Sequence, residues 1–250
     1  MKQKVKQLIK KVLKAFGYKI HKYSTPTIVY KNNTTFTMQA AIKRCVARGV
    51  NANTVIDVGA SDGRWSKACM DIIPNAKYLL VEAQEAHKKG LDQLKKENTN
   101  VSYVLAAAGK KNGTIYFNNK DLFGGLASET NLEENCVKVP MICLDSEIEK
   151  RNLKPPYVLK LDTHGFEIPI LEGAKNILKQ AQLVIIETYN YKLTNTSLKY
   201  YEMCMYMEKL GFSSVEMVDF MLRTYDDTFW QMDTFFVPTT NKEFLYTSYK

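Results

Sequence analysis

Nine consecutive residues, Val55-Ile56-Asp57-Val58-Gly59-Ala60-Ser61-Asp62-Gly63, carry the sharpest chemical signal in this chain. A branched apolar run contains Asp57, and the pattern reads D-x-G-x-x-x-G. Glycines in such a turn let the backbone bend tightly and let a ligand lie against the main chain. Nineteen residues after Gly63 stands Glu82, at the end of a second apolar run. A carboxylate there can accept hydrogen bonds from both hydroxyls of an adenosine ribose. The ligand is therefore nucleoside-like, and the turn limits which one. Dinucleotide sites use G-x-G-x-x-G with a pyrophosphate at the helix N-terminus. Here the glycines are spaced G-x-x-x-G, and Asp57 and Asp62 bracket the turn. Two carboxylates repel a pyrophosphate. They suit a ligand with cationic ends and no phosphate, such as S-adenosylmethionine with its sulfonium and ammonium groups.

These residues need strands to end where they begin. Thr54–Val58, Lys77–Val81 and Val101–Leu105 read as strands, separated by helical patterns at Ser66–Ile73 and Gln84–Glu97. Strand–helix alternation implies parallel pairing with right-handed crossovers. It breaks at Gly113–Asn118 and Val137–Ile142, which read as an antiparallel insertion or edge hairpin around Gly124-Gly125. It resumes with the strand Tyr157–Leu161, a helix over Ile168–Gln180 and the strand Leu183–Ile186. A helix near Ser197–Leu210 leads to strands at Ser213–Val218 and Thr234–Val237. Those two are joined too closely for a crossover helix, so they form an antiparallel pair at the sheet edge. The expected fold is a mostly parallel, doubly wound α/β sheet. A helix over Thr37–Arg48, ended by Gly49, precedes it.

Residues 1–36 form a separate appendage in this reading, and 37–250 the α/β domain. Val5, Leu8, Ile9, Val12, Leu13 and Phe16 recur on one helical face, with Gly17 as the cap. Of the net charge of +9, eight lysines between Met1 and Tyr23 supply eight, with no acid among them. The rest of the chain is nearly neutral. That weakens any nucleic-acid reading, since phosphate attraction would have to come from 23 residues without interleaved aromatics. Such a helix suits an anionic membrane surface or a neighbouring subunit of a homo-oligomer. No segment is apolar for long enough to span a bilayer, and lysines interrupt any signal-peptide core. The five cysteines form no CxxC pair. They read as reduced thiols of a cytoplasmic protein, with no zinc site.

Downstream stretches resemble the FkbM family of S-adenosylmethionine-dependent methyltransferases. They are VIDVGASDGRWS (55–66), AAAGKKNGTIYF (106–117), VPMICLD (139–145), LKLDTHGFEIPILEGA (159–174), LVIIET (183–188) and WQMDTFFV (230–237). The family often has valine-glutamate where this chain has Thr163-His164, so no mechanism can rest on a glutamate at 164. The resemblance implies a Rossmann-like class I methyltransferase fold. It also implies that Asp57, Gly59, Ala60, Ser61, Asp62 and Gly63 surround the methionine part of the cofactor. Ser66 would reach its carboxylate and Glu82 its ribose. Ala83, Ala106 and Ala107 would leave room for adenine, and Asp162 would lie next to the transferring methyl.

Methyl transfer from a sulfonium is an in-line displacement, so positioning dominates. A hydroxyl acceptor must also lose its proton, and His164 and Asp162 are the candidate bases. His164 could instead cap the helix starting near Glu167, and His87 has no comparable context. Lys160, on the same strand face as Asp162, is the third candidate; Glu187 is its expected ion-pair partner. Asp162 and Glu187 could bind a divalent metal, but two acids do not make a site, and none is assigned. Tyr189, Tyr191, Arg223, Trp230 and Gln231 are expected to line the acceptor pocket. The resulting expectation is O-methylation of a sugar or glycan-precursor hydroxyl. An NAD(P)-dependent oxidoreductase and a non-catalytic binding module on the same fold are the alternatives.

Overall fold

The computed structural model describes residues 34–131 and 136–249. They belong to one compact unit that begins at Thr34. The amphipathic helix expected over 1–16, and the extended segment up to residue 33, lie outside the described residues.

Helix α1, Met38–Arg48, forms where the spacing predicts it. The Thr37 hydroxyl accepts from Ala40 N at 3.3 Å, and Gly49 closes the helix at φ 113°. That left-handed conformation is one glycine adopts without strain. Five parallel strands follow in the order β9-β8-β1-β2-β3: Thr54–Val58 (β1), Lys77–Glu82 (β2), Val101–Leu105 (β3), Tyr157–Leu161 (β8) and Ala181–Tyr189 (β9). Strand β11 (Phe229–Pro238) lies antiparallel between β9 and the edge strand β10 (Phe212–Leu222). This is the doubly wound sheet with an antiparallel final strand that the alternation implies.

Side-chain alternation sends two apolar sets to opposite faces. Ile56, Val58, Leu79, Val81, Leu159 and Leu161 share one core with Ile170, Ile177, Met203 and Met207. Those last four come from α5 (Glu167–Glu172), α6 (Lys175–Leu178) and α7 (Tyr200–Lys209). Val55, Tyr78, Leu80, Val158 and Ile185 share the other core with residues of α1, α2 (Arg64–Met70) and α3 (Lys88–Glu97). With both faces covered, the polar residues Asp57 and Lys160 are buried as well.

Several boundaries differ from the sequence reading for local reasons. The helix expected over Gln84–Glu97 begins as a 3-10 turn at Glu85–His87, because the Glu82 carboxylate holds the Gln84 N–H at 2.7 Å. The helix expected over Ile168–Gln180 breaks at Gly173. A Cβ there would stand 2.1 Å from the carbonyl of Gly109. The insertion is a separate four-stranded sheet, β4-β7-β5-β6, rather than a hairpin on the main edge. It comprises Ala107–Gly109 (β4), Gly113–Asn118 (β5), Leu126–Ser128 (β6) and Cys136–Cys143 (β7). A short helix without a periodic signature, Leu144–Lys150 (α4), follows it. The Asp145 carboxylate accepts from Asn176 N and Ile177 N and ties α4 to α6. No described helix is long and apolar enough to cross a membrane.

Candidate active site

The site lies where the parallel strands end. Gly59, at φ 76°, turns the chain out of β1, and its N–H donates to Val81 O at 2.9 Å. The neighbouring strand is so close that a Cβ on Gly59 would stand 1.9 Å from the Asp162 carbonyl oxygen. Ser61 follows at φ 52° and donates its N–H to Glu82 Oε2 at 2.7 Å. Glu82 thus clamps the turn after β1 and the turn after β2 with its two oxygens. Each oxygen keeps a further lone-pair direction for a ligand hydroxyl.

A cavity of about 1000 Å³ opens over these strand ends. Gly59, Ala60, Ser61, Glu82, Ala83, Ala106 and Ala107 line one half. Glu187, Tyr189, Trp230, Gln231, Asp233 and Asp219 line the other, and Lys160, Asp162 and His164 lie between. The loop Asp121–Gly125 also borders the cavity. Three side chains hold its carbonyls: Gln84 on Asp121 and Leu122, His87 on Leu122, and His164 on Phe123.

Between the halves sits a dense charge cluster. The β1–β8 register places Asp57 beside Lys160. Lys160 Nζ donates to Asp162 Oδ2 at 2.8 Å and lies 5.5 Å from the Trp65 ring centroid. Burial works against the Lys160 charge, but Asp162, Asp57 and Asp233 together raise its pKa well above the ordinary value. Burial would raise Asp162 too, yet Lys160 holds it below the usual carboxylate range. Asp57 has no such ion pair. Burial pushes it up to about 6 against the pull of Lys160 and the Ser66 hydroxyl. Burial likewise lifts Asp233 to about 7, and burial with the neighbouring Asp162 lifts Glu187. Burial drives His164 down, against the pull of Asp162.

Several expected residues sit elsewhere than anticipated. Asp57 is fully buried beneath the turn, and Ser66 Oγ donates to its Oδ2 at 2.7 Å. Ser66 is therefore committed to Asp57 and does not line the cavity. Asp62 turns outward to Arg64, 2.7 Å away. Arg64 thus offsets one of the two carboxylates that bracket the turn. Gly63 meets Leu80 and Leu94 of the core. Glu187 is not the partner of Lys160, because the β8–β9 register sets Lys160 opposite Ile185. The Tyr189 hydroxyl and the Gln231 amide donate to Glu187 instead. His164 does not cap α5. At φ 52° it points away, and the buried Glu167 holds that turn by accepting from Gly165 N and Thr163 Oγ1. Tyr191 and Arg223 stack behind Trp230 rather than in the cavity wall. Sequence reasoning set His87 aside and overlooked Gln84, Asp219 and Asp233. Asp233 was legible as the one acid in the alternating strand WQMDTFFV, but which face it took depends on β11 pairing with β9.

The family model for the methyltransferase FkbM domain matches residues 57–214, more than half of the chain. The chain belongs to the FkbM methyltransferase family. The NAD(P)-dependent oxidoreductase alternative gives way to this match. No curated protein matches the chain. A solved FkbM methyltransferase from Methylobacillus flagellatus KT is 13% identical, with a TM-score of 0.47 over 73% of this chain and 43% of that one. This chain thus spans less than half of that protein. A precorrin-6y C5,15-methyltransferase from Geobacter metallireducens GS-15 is also 13% identical, with a TM-score of 0.45 over 80% of this chain and 86% of that one. Fibrillarin from Methanococcus jannaschii is 15% identical, with a TM-score of 0.48 over 79% and 68%. The matched FkbM region takes in Glu82, Asp162, His164 and Glu187. Trp230, Gln231 and Asp233, on β11, lie beyond its end.

The buried acids make the stability of this FkbM domain depend on pH. Asp57 and Asp233 have folded pKa values above their unfolded ones. Each contributes stability below its ordinary pKa that is lost as pH rises through about 6 and about 7. Lys160, Asp162, Asp219 and Glu187 are the titratable groups around Asp233, and Glu187, lifted to about 9, adds to the loss in the same direction. The Tm of the ligand-free protein should fall by about 10 °C between about pH 5 and pH 8. Asp233→Asn should flatten that fall. A Tm that is level or rises over this range contradicts the assignment.

Proposed function

We propose that this protein transfers the methyl group of S-adenosylmethionine to a hydroxyl of a sugar or glycan precursor. The two-part cavity carries the reading. In the first half, Glu82 takes the ribose hydroxyls, Ala83, Ala106 and Ala107 leave room for adenine, and the Gly59–Ser61 backbone borders the methionine part. In the second half, Trp230 and Tyr189 offer aromatic faces beside Asp219, Asp233 and the Gln231 amide. An apolar ring face rimmed by acceptors suits a polyhydroxylated ring, whose C–H faces are apolar and whose edges donate hydrogen bonds.

The O-methyl product forms at the junction. The acceptor oxygen attacks the methyl carbon in line, the S–CH₃ bond breaks, and S-adenosylhomocysteine leaves. The hydroxyl proton must go to a base. Asp162, held ionised by Lys160, is too weak a base and orients the reactants instead. Asp233 suits the role better. No described residue hydrogen-bonds its carboxyl, it faces the cavity, and burial brings its pKa to about 7.

Methyl transfer from labelled S-adenosylmethionine to a panel of nucleotide-linked and lipid-linked sugars tests the reading. Asp233→Asn should lower kcat about 100-fold and remove the acid limb of the pH profile, with binding of S-adenosylhomocysteine intact. A non-catalytic binding module would bind that product yet methylate nothing. Methylation confined to acceptors without hydroxyls would overturn the O-methyl assignment.

A further inference from the structure

The junction between the two halves is also built to hold a cation. Asp162 follows β8, His164 stands in the turn after it, and Glu187 lies near the end of β9. One ligand atom from each lies within 4.8 Å of the other two. The sequence offers two acids here, and only the fold adds the imidazole.

The orientation of that imidazole is the telling feature. His164 Nε2 stands 3.0 Å from the Phe123 carbonyl oxygen, which can only accept, so Nε2 carries the proton. Nδ1 therefore holds the lone pair. It is buried, has no hydrogen-bond partner, and lies 3.9 Å from Glu187 Oε2. A histidine that ligates a metal characteristically gives its other N–H to a carbonyl or carboxylate in this way. Both carboxylates are held in place by other side chains as well. Lys160 holds Asp162 Oδ2, and Tyr189 and Gln231 hold Glu187. Charge points the same way, because Asp57, Asp162 and Asp233 crowd Lys160, with Glu187 beside Asp162 and Asp233.

We propose that Asp162, His164 and Glu187 bind one divalent cation of the Mn²⁺ class between the cofactor and acceptor halves. Two carboxylates with one imidazole are a hard, mixed oxygen–nitrogen set, which suits Mn²⁺ and carries no thiolate for softer metals. Three protein ligands leave positions open for acceptor oxygens. What the cation holds there rests on the function proposed above: a bound hydroxyl gives up its proton more readily, and Asp233 receives it.

The full-length protein, stripped with EDTA and desalted, is titrated with MnCl₂ while free Mn²⁺ is followed by electron paramagnetic resonance. S-adenosylhomocysteine is titrated in parallel by calorimetry. One equivalent of Mn²⁺ should bind. Glu187→Gln and His164→Gly should each weaken it by about 100-fold or more, with S-adenosylhomocysteine affinity retained. Glycine suits the positive φ at 164, so the turn keeps its backbone conformation in that variant. No Mn²⁺ binding up to millimolar concentration, or binding unchanged in both variants, overturns the cation site. If S-adenosylhomocysteine still binds in that case, the methyltransferase reading stands without it. Mn²⁺ binding with no S-adenosylhomocysteine binding would keep the site and remove that reading.

Discussion

Gly59→Ala should destabilise the protein by about 3–5 kcal/mol, the sum of a backbone term and an overlap term. The backbone term comes from the left-handed conformation at φ 76°. The overlap term comes from the Asp162 carbonyl, which a Cβ would approach to 1.9 Å. That carbonyl belongs to the backbone just past the end of β8, so it cannot swing aside as a side chain could. Relief requires the ends of β1 and β8 to part, and with them Lys160 and Asp162. Gly211→Ala isolates the backbone term: its φ is 87°, and nothing lies within 4 Å of the added carbon. Urea denaturation of both variants checks the claim. If Gly59→Ala loses no more stability than Gly211→Ala, the close approach of β1 and β8 is wrong.

Glu82→Ala should weaken S-adenosylhomocysteine binding by about 100- to 10,000-fold. Two hydrogen bonds from the ribose to a carboxylate contribute about 1.5–3 kcal/mol each, and 1.4 kcal/mol is tenfold. The loss has a second source in the free protein. Ser61 N–H and Gln84 N–H both donate to this carboxylate, and both would lose their acceptor. The turns after β1 and β2 would then loosen together. Glu82→Gln keeps one acceptor oxygen but places a donor opposite the other N–H, so its loss should fall between wild type and alanine. Calorimetry measures all three. Wild-type affinity in Glu82→Ala would show that the ribose binds elsewhere.

The two variants differ in how far they could be argued from sequence. Glu82 was legible because its place is local: an acid closing an apolar run nineteen residues after Gly63. Gly59 was legible as a turn glycine, but the demand for glycine comes mainly from Asp162, about a hundred residues away. Asp57 shows how reading by position alone misleads. It belongs to the loop motif, yet strand alternation turns it under the sheet to Ser66, where it supports the turn from below. Asp62 is misread for a related reason. A bracket of two carboxylates is visible in sequence, but the outward turn to Arg64 is set by the start of α2.

By itself the sequence determined the strand order of chemistry along the chain, the parallel core and the family. Each of these rests on local pattern: apolar runs of strand length, glycines at the turn, and motifs in order. Only the tertiary structure decided which charges meet. Lys160 pairs with Asp162 rather than Glu187 because of the β8–β9 register. Asp233 joins them because β11 runs antiparallel beside β9, with Asp233 opposite Glu187. His164 turns its free nitrogen toward Glu187 because the Phe123 carbonyl, 41 residues earlier, takes its proton-bearing one. Burial in that shared space then moves the carboxyl pKa values apart. The physical reason is that ionisation depends on distance and solvent access, and both are set by pairings between distant segments.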